Sequence, residues 1–396
     1  MAFRLTHDIT INDQPIRFFY SLQINKDINR LTDTGKITIP AHDHNMDFSK
    51  RNIKRGDPIN ISVGYDDDNR HEFAGFVSFV QEVYDKFTIE FEDFSFALRQ
   101  SLTPHQWIPE ADYNALSAEQ KVNASPGPAR VRDILDYILA NNDSFNNGDF
   151  VINSEIYPPQ FPEVRNVIID WEWSSFTIGQ GDTAYTVISD MKDKKLGLFH
   201  FFSTSPSGEP LRKPELRIGT FYLNQERVGT STAKFDLGEN VFSVSNLRHV
   251  WAERSGVQVT VTSKNPGTGE SEESDPSESE DFAQAPSQQI IRFDGAGSGV
   301  QKVELNDIAG RIRNSYSYTG LKGSFRAKLL PYCNIGYRIS IDDPLHPRLP
   351  AGDRTYENSF GGDYICNTID LTVDRNNGSR RQVGVGQRLY TQLGNA

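Results

Sequence analysis

Cysteine and methionine are scarce in this chain of 396 residues, which contains two cysteines and three methionines. A secreted scaffold of this size often carries more cysteines, so Cys333 and Cys366 fit assembly in a reducing cytoplasm, and a single disulfide stays possible. The N-terminal stretch has no apolar segment typical of a signal peptide, and no window approaches 18 consecutive apolar residues. We therefore expect neither a signal peptide nor a membrane span.

Positive charge is also in deficit, with 41 Lys and Arg against 53 Asp and Glu and a net charge of −12. A nucleic-acid-binding surface needs clustered basic residues, and so does adhesion to an anionic membrane. The composition argues against both and predicts an acidic, soluble surface. Aromatic residues are abundant, with 25 Phe and 15 Tyr, which favours strands, and the length allows two or three domains.

The first hundred residues alternate between apolar and polar positions, which is typical of strands with one buried face. The turn Gly56-Asp57-Pro58 separates two such stretches, and about five antiparallel strands fit before residue 100. The alternating apolar positions are Ile16, Phe18, Tyr20, Leu22 and Ile24, then Ile59, Ile61, Val63 and Tyr65. We predict a first small β-barrel domain over residues 1–104, because closure removes exposed edges.

We predict a mixed α+β middle region with two helices over residues 105–245. Residues 100–127 are irregular, and helical spacing appears after them. The first helix has its apolar face at Val131, Ile134, Leu135, Ile138 and Leu139. The second begins near Asp182 or Thr183, either of which can cap it, and has its apolar face at Ala184, Val187, Ile188 and Met191.

Residues 246–262 and 289–396 predict a second β-barrel region with one short helix around Leu305 and Ile308. Between them, residues 263–288 are rich in Glu, Asp, Ser and Pro, which predicts an acidic flexible insertion. The fold class is therefore mainly β with an α/β insertion: two small antiparallel β-barrel domains of similar topology plus the mixed middle region.

Three segments have residue types that occur in ligand sites, and each is better explained as a connection. His42-Asp43-His44 lacks a third metal ligand at a known spacing, so we expect an exposed loop. Asp66-Asp67-Asp68-Asn69 lacks the glycine and the distal glutamate of a calcium loop, so we expect a turn. The run from Gly295 to Gly299 has no following Gly-Lys-Ser/Thr, so we expect a junction without phosphate binding.

Nothing in the sequence singles out a catalytic group. There is no G-x-S-x-G elbow, neither cysteine lies in a nucleophile motif, and no carboxylate pair stands out. Four tryptophans could line a sugar groove, although packing is the favoured role: Trp107, Trp171, Trp173 and Trp251. We predict no catalytic, cofactor-binding or metal site, and hence no enzyme and no cofactor.

The order of these elements resembles the phage tail hub family, which includes late control protein D, the baseplate hub and the N-terminal part of type VI secretion spike proteins. Three segments have this resemblance. Gly56 to Ile61 followed by Phe73 to Val77 looks like the family's first barrel. Asp182 to Phe202 looks like its helix before an aromatic strand, and Tyr356 to Val373 like its closing strands. The likeness excludes residues 100–127 and 264–288.

The resemblance implies a homotrimeric structural hub that joins a six-fold tail tube to a three-fold central spike, with other baseplate proteins as neighbours. It implies a location in a virion tail, baseplate or injection particle assembled in the bacterial cytoplasm. No β-helical needle follows before Ala396, so we expect the spike to be a separate protein. The alternatives are a glycan-binding or glycan-degrading tail-associated β protein and an all-β enzyme unrelated to tails.

Bridging six-fold and three-fold symmetry requires two similar units in each chain. The sequence supports such a repeat, because the segment Gly56 to Ile61 has a loose counterpart in the segment Asn334 to Ile341. Both place a glycine turn before an alternating strand. We therefore predict the same strand topology in residues 1–100 and in residues from about 300 to 396.

Overall fold

The computed structural model describes most of the chain in separate ranges. These are residues 4–41, 53–141, 151–152, 172–173, 175–193, 198–203, 215–220, 232–250, 255–264, 270–279, 282–284, 287–298, 302–316, 320–342, 361–374 and 378–389. Within them the fold is mainly β with a small α/β region, as predicted. None of the helices in these ranges has the length and hydropathy required to span a bilayer.

Three helices lie where apolar spacing predicts them, two in the middle region and one near residue 310, and the middle region contains two further short helices that were not predicted. They are α1 (Glu110–Ala115), α2 (Ala118–Lys121), α3 (Val131–Asn141), α4 (Ala184–Asp193) and α5 (Lys302–Tyr316), with a 3-10 helix at Phe94–Arg99. Thr183 caps α4, since its Oγ1 accepts a hydrogen bond from the Thr186 backbone N at 3.1 Å. Helices α1 and α2 are short and have no buried side chains, so they lack the apolar periodicity that would have predicted them.

Seven strands form the first half of a large sheet. They are β1 (Leu5–Ile11), β2 (Gln14–Pro15), β3 (Ser21–Asp27), β4 (Thr34–Pro40), β5 (Pro58–Tyr65), β6 (Asp68–Val83) and β7 (Lys86–Glu92). Their order in space is β3-β4-β7-β6-β5-β1-β2, and all neighbours are antiparallel. The predicted alternation is correct in β3 and β5, where Leu22, Ile24, Ile59 and Ile61 are buried.

The middle region contributes short strands that stay outside the large sheet. They are β8 (His105–Ile108), β9 (Ala124–Pro126), β10 (Ala129–Arg130), β11 (Val151–Ile152), β12 (Glu172–Trp173), β13 (Phe176–Ile178), β14 (Leu198–Ser203) and β15 (Glu215–Thr220). They pair as β13-β8-β9, β10-β12 and β11-β15-β14. The predicted aromatic strand after α4 is β14.

The remaining strands are β16 (Thr232–Asp236), β17 (Val241–Val250), β18 (Ser255–Lys264), β19 (Ser271–Glu273), β20 (Ser277–Glu278), β21 (Ser287–Ser298), β22 (Gly320–Ala327), β23 (Arg338–Asp342), β24 (Gly362–Asp374) and β25 (Gly378–Leu389). Six of them form the second half of the large sheet, in the order β17-β22-β25-β24-β23-β16. Strand β24 also pairs with β3, which joins both halves into one 13-stranded sheet. The pairings described do not close into a ring, so the two predicted barrels appear in the described residues as halves of one open sheet, because strand β24 pairs with β3 as well as with its own neighbours.

Strand pairings cross the predicted domain boundaries, and the domain division itself stays a proposal. Strand β16, predicted within the middle region, pairs with β23 in the large sheet. Strand β18, predicted within the second barrel, instead pairs with β19, β20 and β21 in a separate sheet. Its Val257, Val259 and Val261 share a hydrophobic cluster with Trp107 and with α3 and α5. Alternation identifies a strand but not its partner, so sequence pattern could not assign either one.

Part of the predicted flexible insertion has regular structure. Strands β19 and β20 pair with β18, and Ser274 between them is buried, with its Oγ accepting the Val261 backbone N–H at 2.9 Å. Asp275 forms an ion pair with Lys302 of α5 at 2.7 Å, and its backbone N donates to Asn306 Oδ1 at 2.7 Å. Backbone pairing and polar contacts, rather than apolar burial, therefore attach the acidic segment, and composition does not report such contacts.

Candidate assembly site

The two halves of the large sheet have the same strand order. In the first half, β3-β4-β7-β6-β5-β1 are neighbours in space, and in the second half β17-β22-β25-β24-β23-β16 are. Both series follow the same order along the chain, so each strand has one counterpart. All neighbouring pairs are antiparallel in both halves except the last, where β1 is antiparallel to β5 and β16 is parallel to β23. The strand order is therefore repeated over five antiparallel strands. The predicted repeat is confirmed for the four that lie beyond residue 300, whereas the fifth, β17, lies before the predicted region.

The glycine turns that the sequence paired do occupy equivalent positions. Gly56 has φ of 92° and Gly336 has φ of 76°, a region that strongly favours glycine. Each turn precedes a strand, and the same two backbone hydrogen bonds join the turn to the next strand, which is the neighbour of the first in the sheet. These bonds are Gly56 N to Val77 O at 2.8 Å and Val77 N to Asp57 O at 2.9 Å, then Gly336 N to Cys366 O at 2.8 Å and Cys366 N to Tyr337 O at 2.9 Å.

A β-bulge repeats at the next residue in both halves. The register between β6 and β7 shifts after Val77, and the register between β24 and β25 shifts after Cys366. The extra residues are Ser78 and Asn367. A bulge bends its strand and changes its twist, so the same bend occurs at the same place in each half. The hydrogen bonds and the bulge together make Val77 the counterpart of Cys366.

Beyond its bulge, β24 forms the junction between the halves. Residues from Thr368 to Asp374 pair antiparallel with β3, from Asp27 to Ser21. The counterpart of this stretch is the end of β6, which in the described part of the chain pairs with β7 alone after Phe76. The counterpart of β3 is β17, which pairs with β22 alone among the described strands. These two sheet edges, the end of β6 and strand β17, are the candidate assembly site.

Large apolar side chains are exposed at both edges. Phe79 is 52% exposed in β6 and Tyr84 is 95% exposed at the tip of the β6–β7 hairpin. In β17, Phe242 is 58% and Val244 is 43% exposed. Long strand edges with exposed apolar side chains are surfaces that pair with another chain unless something covers them. The composition of these strands does not distinguish them from buried strands, so sequence reasoning missed the site.

A buried ion pair supports the core between the halves. Arg381 of β25 contacts the Glu72 carboxylate of β6, and both side chains are almost inaccessible to solvent. The guanidinium carbon also lies 5.2 Å from the centre of the Tyr332 ring, and the Tyr332 hydroxyl donates to His71 O at 2.8 Å. Strands β6 and β25 are not neighbours in the sheet. The sheet must therefore curl to bring these groups together, and the contacts hold that curl.

Burial and charge act against each other in this core. Burial raises the pKa of the Glu72 carboxyl, and Arg381 opposes that change. Burial alone would lower the pKa of Arg381, but Glu72, Cys333 and Tyr332 together more than offset it, so the guanidinium stays charged. Nearby, Lys26 of β3 donates from Nζ to Asn334 Oδ1 at 3.0 Å, and burial lowers its pKa. These contacts stabilise one arrangement of the two halves.

Two buried aspartates link the large sheet to the 3-10 helix. Asp93 caps that helix, since its Oδ1 accepts from Ser95 N at 2.9 Å and its Oδ2 accepts from Asp33 N at 3.0 Å. Burial raises the pKa of Asp93 to about 7 and also raises the pKa of Asp33. The Ser95 hydroxyl donates a hydrogen bond to Thr32 Oγ1 at 2.9 Å, and so fixes the start of the middle region.

Of the segments weighed as ligand sites, the acidic one contains the expected turn, whereas the glycine-rich one was wrongly predicted as a junction and its described residues lie in a strand. Asp66 and Asp67 form the β5–β6 turn with positive φ, and Arg4 binds both, through its backbone N to Asp66 Oδ1 at 2.9 Å and its guanidinium to Asp67 at 2.7 Å. Asp68 pairs with Arg70 at 2.9 Å. Gly295 to Ser298 belong to β21, whereas Gly299 and His42-Asp43-His44 lie outside the described residues.

No described group of three or more His, Cys, Asp and Glu side chains is arranged to hold a metal ion. Cys333 and Cys366 are buried and not joined by a disulfide. Trp107 and Trp173 are 5% and 1% exposed, so they pack in the core, and Trp171 and Trp251 lie outside the described residues. A groove of about 380 Å³ does lie beside Trp107, but the buried indole offers no open face to a sugar ring.

Comparison with solved structures places this fold among tail proteins. A tail protein from Neisseria meningitidis MC58 superposes with a TM-score of 0.54 at 10% identity, over 98% of this chain and 97% of that one. The 43 kDa tail protein of prophage MuSo2 from Shewanella oneidensis gives 0.55 at 11% identity, over 97% and 98%. A Francisella PdpA–VgrG complex, half-lidded, gives 0.51 at 11% identity, over 99% of this chain and 59% of that one.

The chain therefore shares its fold, over nearly its full length, with phage tail proteins. No family model matches the sequence, and no curated protein matches it. At about one residue in ten identical, the likeness lies in the strand order and not in conserved side chains.

Proposed function

We propose that this protein is a structural hub of a phage tail or a related contractile injection particle. Three copies would form an adaptor between a six-fold tail tube and a separate three-fold spike, with other baseplate proteins around it. The carrying observation is the repeated strand order, in which both halves of the sheet have the same sequence of strands, the same glycine turn and the same bulge.

The repeat supports this function through symmetry. One chain with two similar units can present two similar surfaces to its neighbours, so a ring of three chains has six. Such a ring matches a six-fold tube on one side while it keeps a true three-fold axis for a spike on the other. Head-to-tail contacts between identical chains form such rings when the rotation from one chain to the next closes the circle.

The fold likeness supports a place in a tail. Two of the similar structures are tail proteins, and a third is a complex that contains VgrG. We propose a virion tail, baseplate or injection particle as the location, with assembly in the bacterial cytoplasm. We also propose that the chain is a scaffold and not an enzyme, because the similar structures are tail proteins and the buried charges of Arg381 and Glu72 neutralise each other.

Light scattering coupled to size-exclusion chromatography tests the proposal. We expect a particle of three times the 44.7 kDa of one chain, stable on dilution to micromolar concentration. Negative-stain images down the axis should show a ring with six similar lobes. A monomer or a dimer across the same concentrations would contradict the hub.

The same preparation separates the hub from the glycan alternative. We expect no release of reducing sugars from host glycans or peptidoglycan and no change in protein melting temperature when they are added. Turnover would favour a glycan-degrading tail protein, and a raised melting temperature would favour a glycan-binding one.

A further inference from the structure

Within one chain, the two halves contact each other through a strand pair of known register. Asp370 of β24 lies opposite Asn25 of β3, Thr368 opposite Asp27, and Thr372 opposite Gln23. The pair is antiparallel and begins immediately after the bulge in β24. It is therefore the contact that the first half of the sheet makes with the second half.

The counterparts of these residues follow from the repeat. Cys366 corresponds to Val77, so residues 368–372 correspond to residues 79–83 at the end of β6. The counterpart of β3 is fixed by a glycine at the same site in each half. Gly35 pairs with Ile24 of β3, and Gly323 pairs with Leu247 of β17, so residue 25 corresponds to residue 248.

The two glycines are equivalent because each lies opposite the residue that pairs with the last residue before the bulge. Gly35 is opposite Phe91, the partner of Val77, and Gly323 is opposite Val385, the partner of Cys366. The correspondence thus rests on hydrogen bonds and registers in the two halves, independent of side-chain similarity.

From this we infer that β17 of one copy pairs antiparallel with the end of β6 in a second copy of this chain. The register places Arg248 opposite Gln81 of the partner subunit, Leu247 opposite Glu82 of the partner subunit, and Val250 opposite Phe79 of the partner subunit. The inference rests on the proposed ring of three chains and specifies its interface. Each chain then contributes one internal junction and one external junction of the same design.

The exposed side chains give further support to this pairing. Of the large hydrophobic side chains that are exposed in the described residues, four lie on these two edges: Phe79, Tyr84, Phe242 and Val244. The counterparts of Tyr84 and of the stretch around Val244 are neighbours in the internal junction, where Val373 lies opposite Leu22. The same pairing also satisfies the backbone groups of both edges, which a strand edge otherwise presents to solvent.

The contact is head-to-tail, because it joins two different surfaces. A head-to-tail contact closes into a ring or grows into a filament, depending on its rotation. The internal junction already sets the rotation between one unit and the next. Repeating that rotation at the external junction closes the ring at three chains if the internal junction turns through about a sixth of a circle.

Disulfide trapping tests the register directly. Residues opposite each other in an antiparallel pair have Cα atoms about 4.5–5.5 Å apart, which is within the range of a disulfide. We would prepare Gln81→Cys and Arg248→Cys as separate single variants, each at an exposed position, and oxidise them with copper phenanthroline. Mixed before oxidation with exchange of subunits, they should give a covalent dimer on non-reducing gels, whereas each alone should stay monomeric. A chain with both substitutions should give a covalent trimer.

A shifted pair serves as the matched control. Ser245→Cys lies three residues from Arg248, about 10 Å along a strand, and its mixture with Gln81→Cys should cross-link at background level. The native Cys333 and Cys366 are buried, so they add little background. A trimer by light scattering without the Gln81–Arg248 link, or with equal linkage in the shifted pair, overturns this interface and leaves the hub standing. A monomer by light scattering overturns both.

Discussion

Arg381 illustrates how single residues hold the two halves together. Its guanidinium is inaccessible to solvent and is neutralised by Glu72, which comes from the other half of the chain. Removing one member of a buried ion pair leaves the other charge without compensation, which costs far more than removing both. The residue therefore ties the folding of one repeat to that of the other.

We expect Arg381→Met to lower the free energy of unfolding by about 3–5 kcal/mol at pH 7, because Glu72 is left buried and unpaired. The double variant Glu72→Met with Arg381→Met should recover most of that loss. Urea titration followed by tryptophan fluorescence measures both. A double variant no more stable than Arg381→Met would show that the lost packing of Arg381, and not the unpaired carboxylate, causes the effect.

Asp93 predicts a pH dependence of stability. Its folded-state pKa of about 7 lies above the ordinary value near 3.9, so the folded chain binds the proton more tightly than the unfolded chain does. Its contribution is fully present below pH ~4 and is lost as the pH rises to about 7. Burial raises the pKa of Asp33 as well, which acts in the same direction, whereas burial lowers the pKa of His71 to about 4, which favours neutral pH.

We expect Asp93→Asn to flatten the fall in stability between pH 5 and pH 7.5, by an amount on the order of 1–3 kcal/mol at 1.36 kcal/mol per pKa unit. The substitution also loses one hydrogen bond at every pH, so the change in slope and not the offset is the result. Denaturant midpoints measured across that range, for both proteins, give the slope. An unchanged slope would mean that Asp93 is ionised throughout.

At the scale of elements, close strand crossings depend on glycine. An added Cβ at Gly323 would lie 1.9 Å from Asn246 O, and at Gly35, its counterpart, 2.6 Å from Gln23 O. Gly323 also has φ of 112°, a conformation that side chains rarely adopt. The same close approach occurs in both halves, so it is part of the repeated design.

We expect Gly323→Ala to lower the free energy of unfolding by about 2–3 kcal/mol, since the backbone of β17 must move. Gly310→Ala in α5 is the matched control, because its Cβ would enter open space. It should raise stability by about 0.5–1 kcal/mol through helix propensity. Thermal or urea unfolding measures the stability of both variants. A Gly323→Ala variant as stable as Gly310→Ala would disprove the close contact.

Sequence patterns predicted individual elements well and their neighbours poorly. The buried faces of α3 and α4 and the alternation of β3, β5 and β23 follow from spacing, and the equivalence of Gly56 and Gly336 follows from turn chemistry. The pairing of β3 with β24, across most of the chain, has no local signature, because backbone hydrogen bonds do not depend on side-chain type. The bulges at Ser78 and Asn367 also have no recognisable sequence signal, since an extra residue interrupts the alternation by a single step.

At the scale of the whole molecule, the two halves share one hydrophobic core. The cluster beneath the large sheet includes Ile59 and Phe73 from the first half together with Phe325 and Leu371 from the second. The halves are therefore expected to unfold together. Assembly would use the two edges of the candidate assembly site, where Phe79 and Phe242 of the described strands are exposed to solvent.

We expect Phe242→Asp to weaken the trimer at least tenfold in its dissociation constant, because it places a charge on the exposed apolar edge of β17, next to the inferred strand pair. Val303→Asp is the control, since Val303 is 75% exposed and belongs to α5, which packs on the separate sheet of β18, β19 and β20. Analytical ultracentrifugation over a range of concentrations measures both. Equal trimer stability in the two variants would remove β17 from the interface.

The connections between counterpart strands differ greatly in length. Residues 28–33 join β3 to β4, whereas residues 251–319 join β17 to β22 and include β18 to β21 and α5. In a ring of three chains, every second position around the circumference would therefore have this extra sheet and helix. The extra sheet and helix would distinguish the second unit of each chain from the first. A neighbouring baseplate protein could therefore bind at three places on a ring that offers six similar surfaces to the tube.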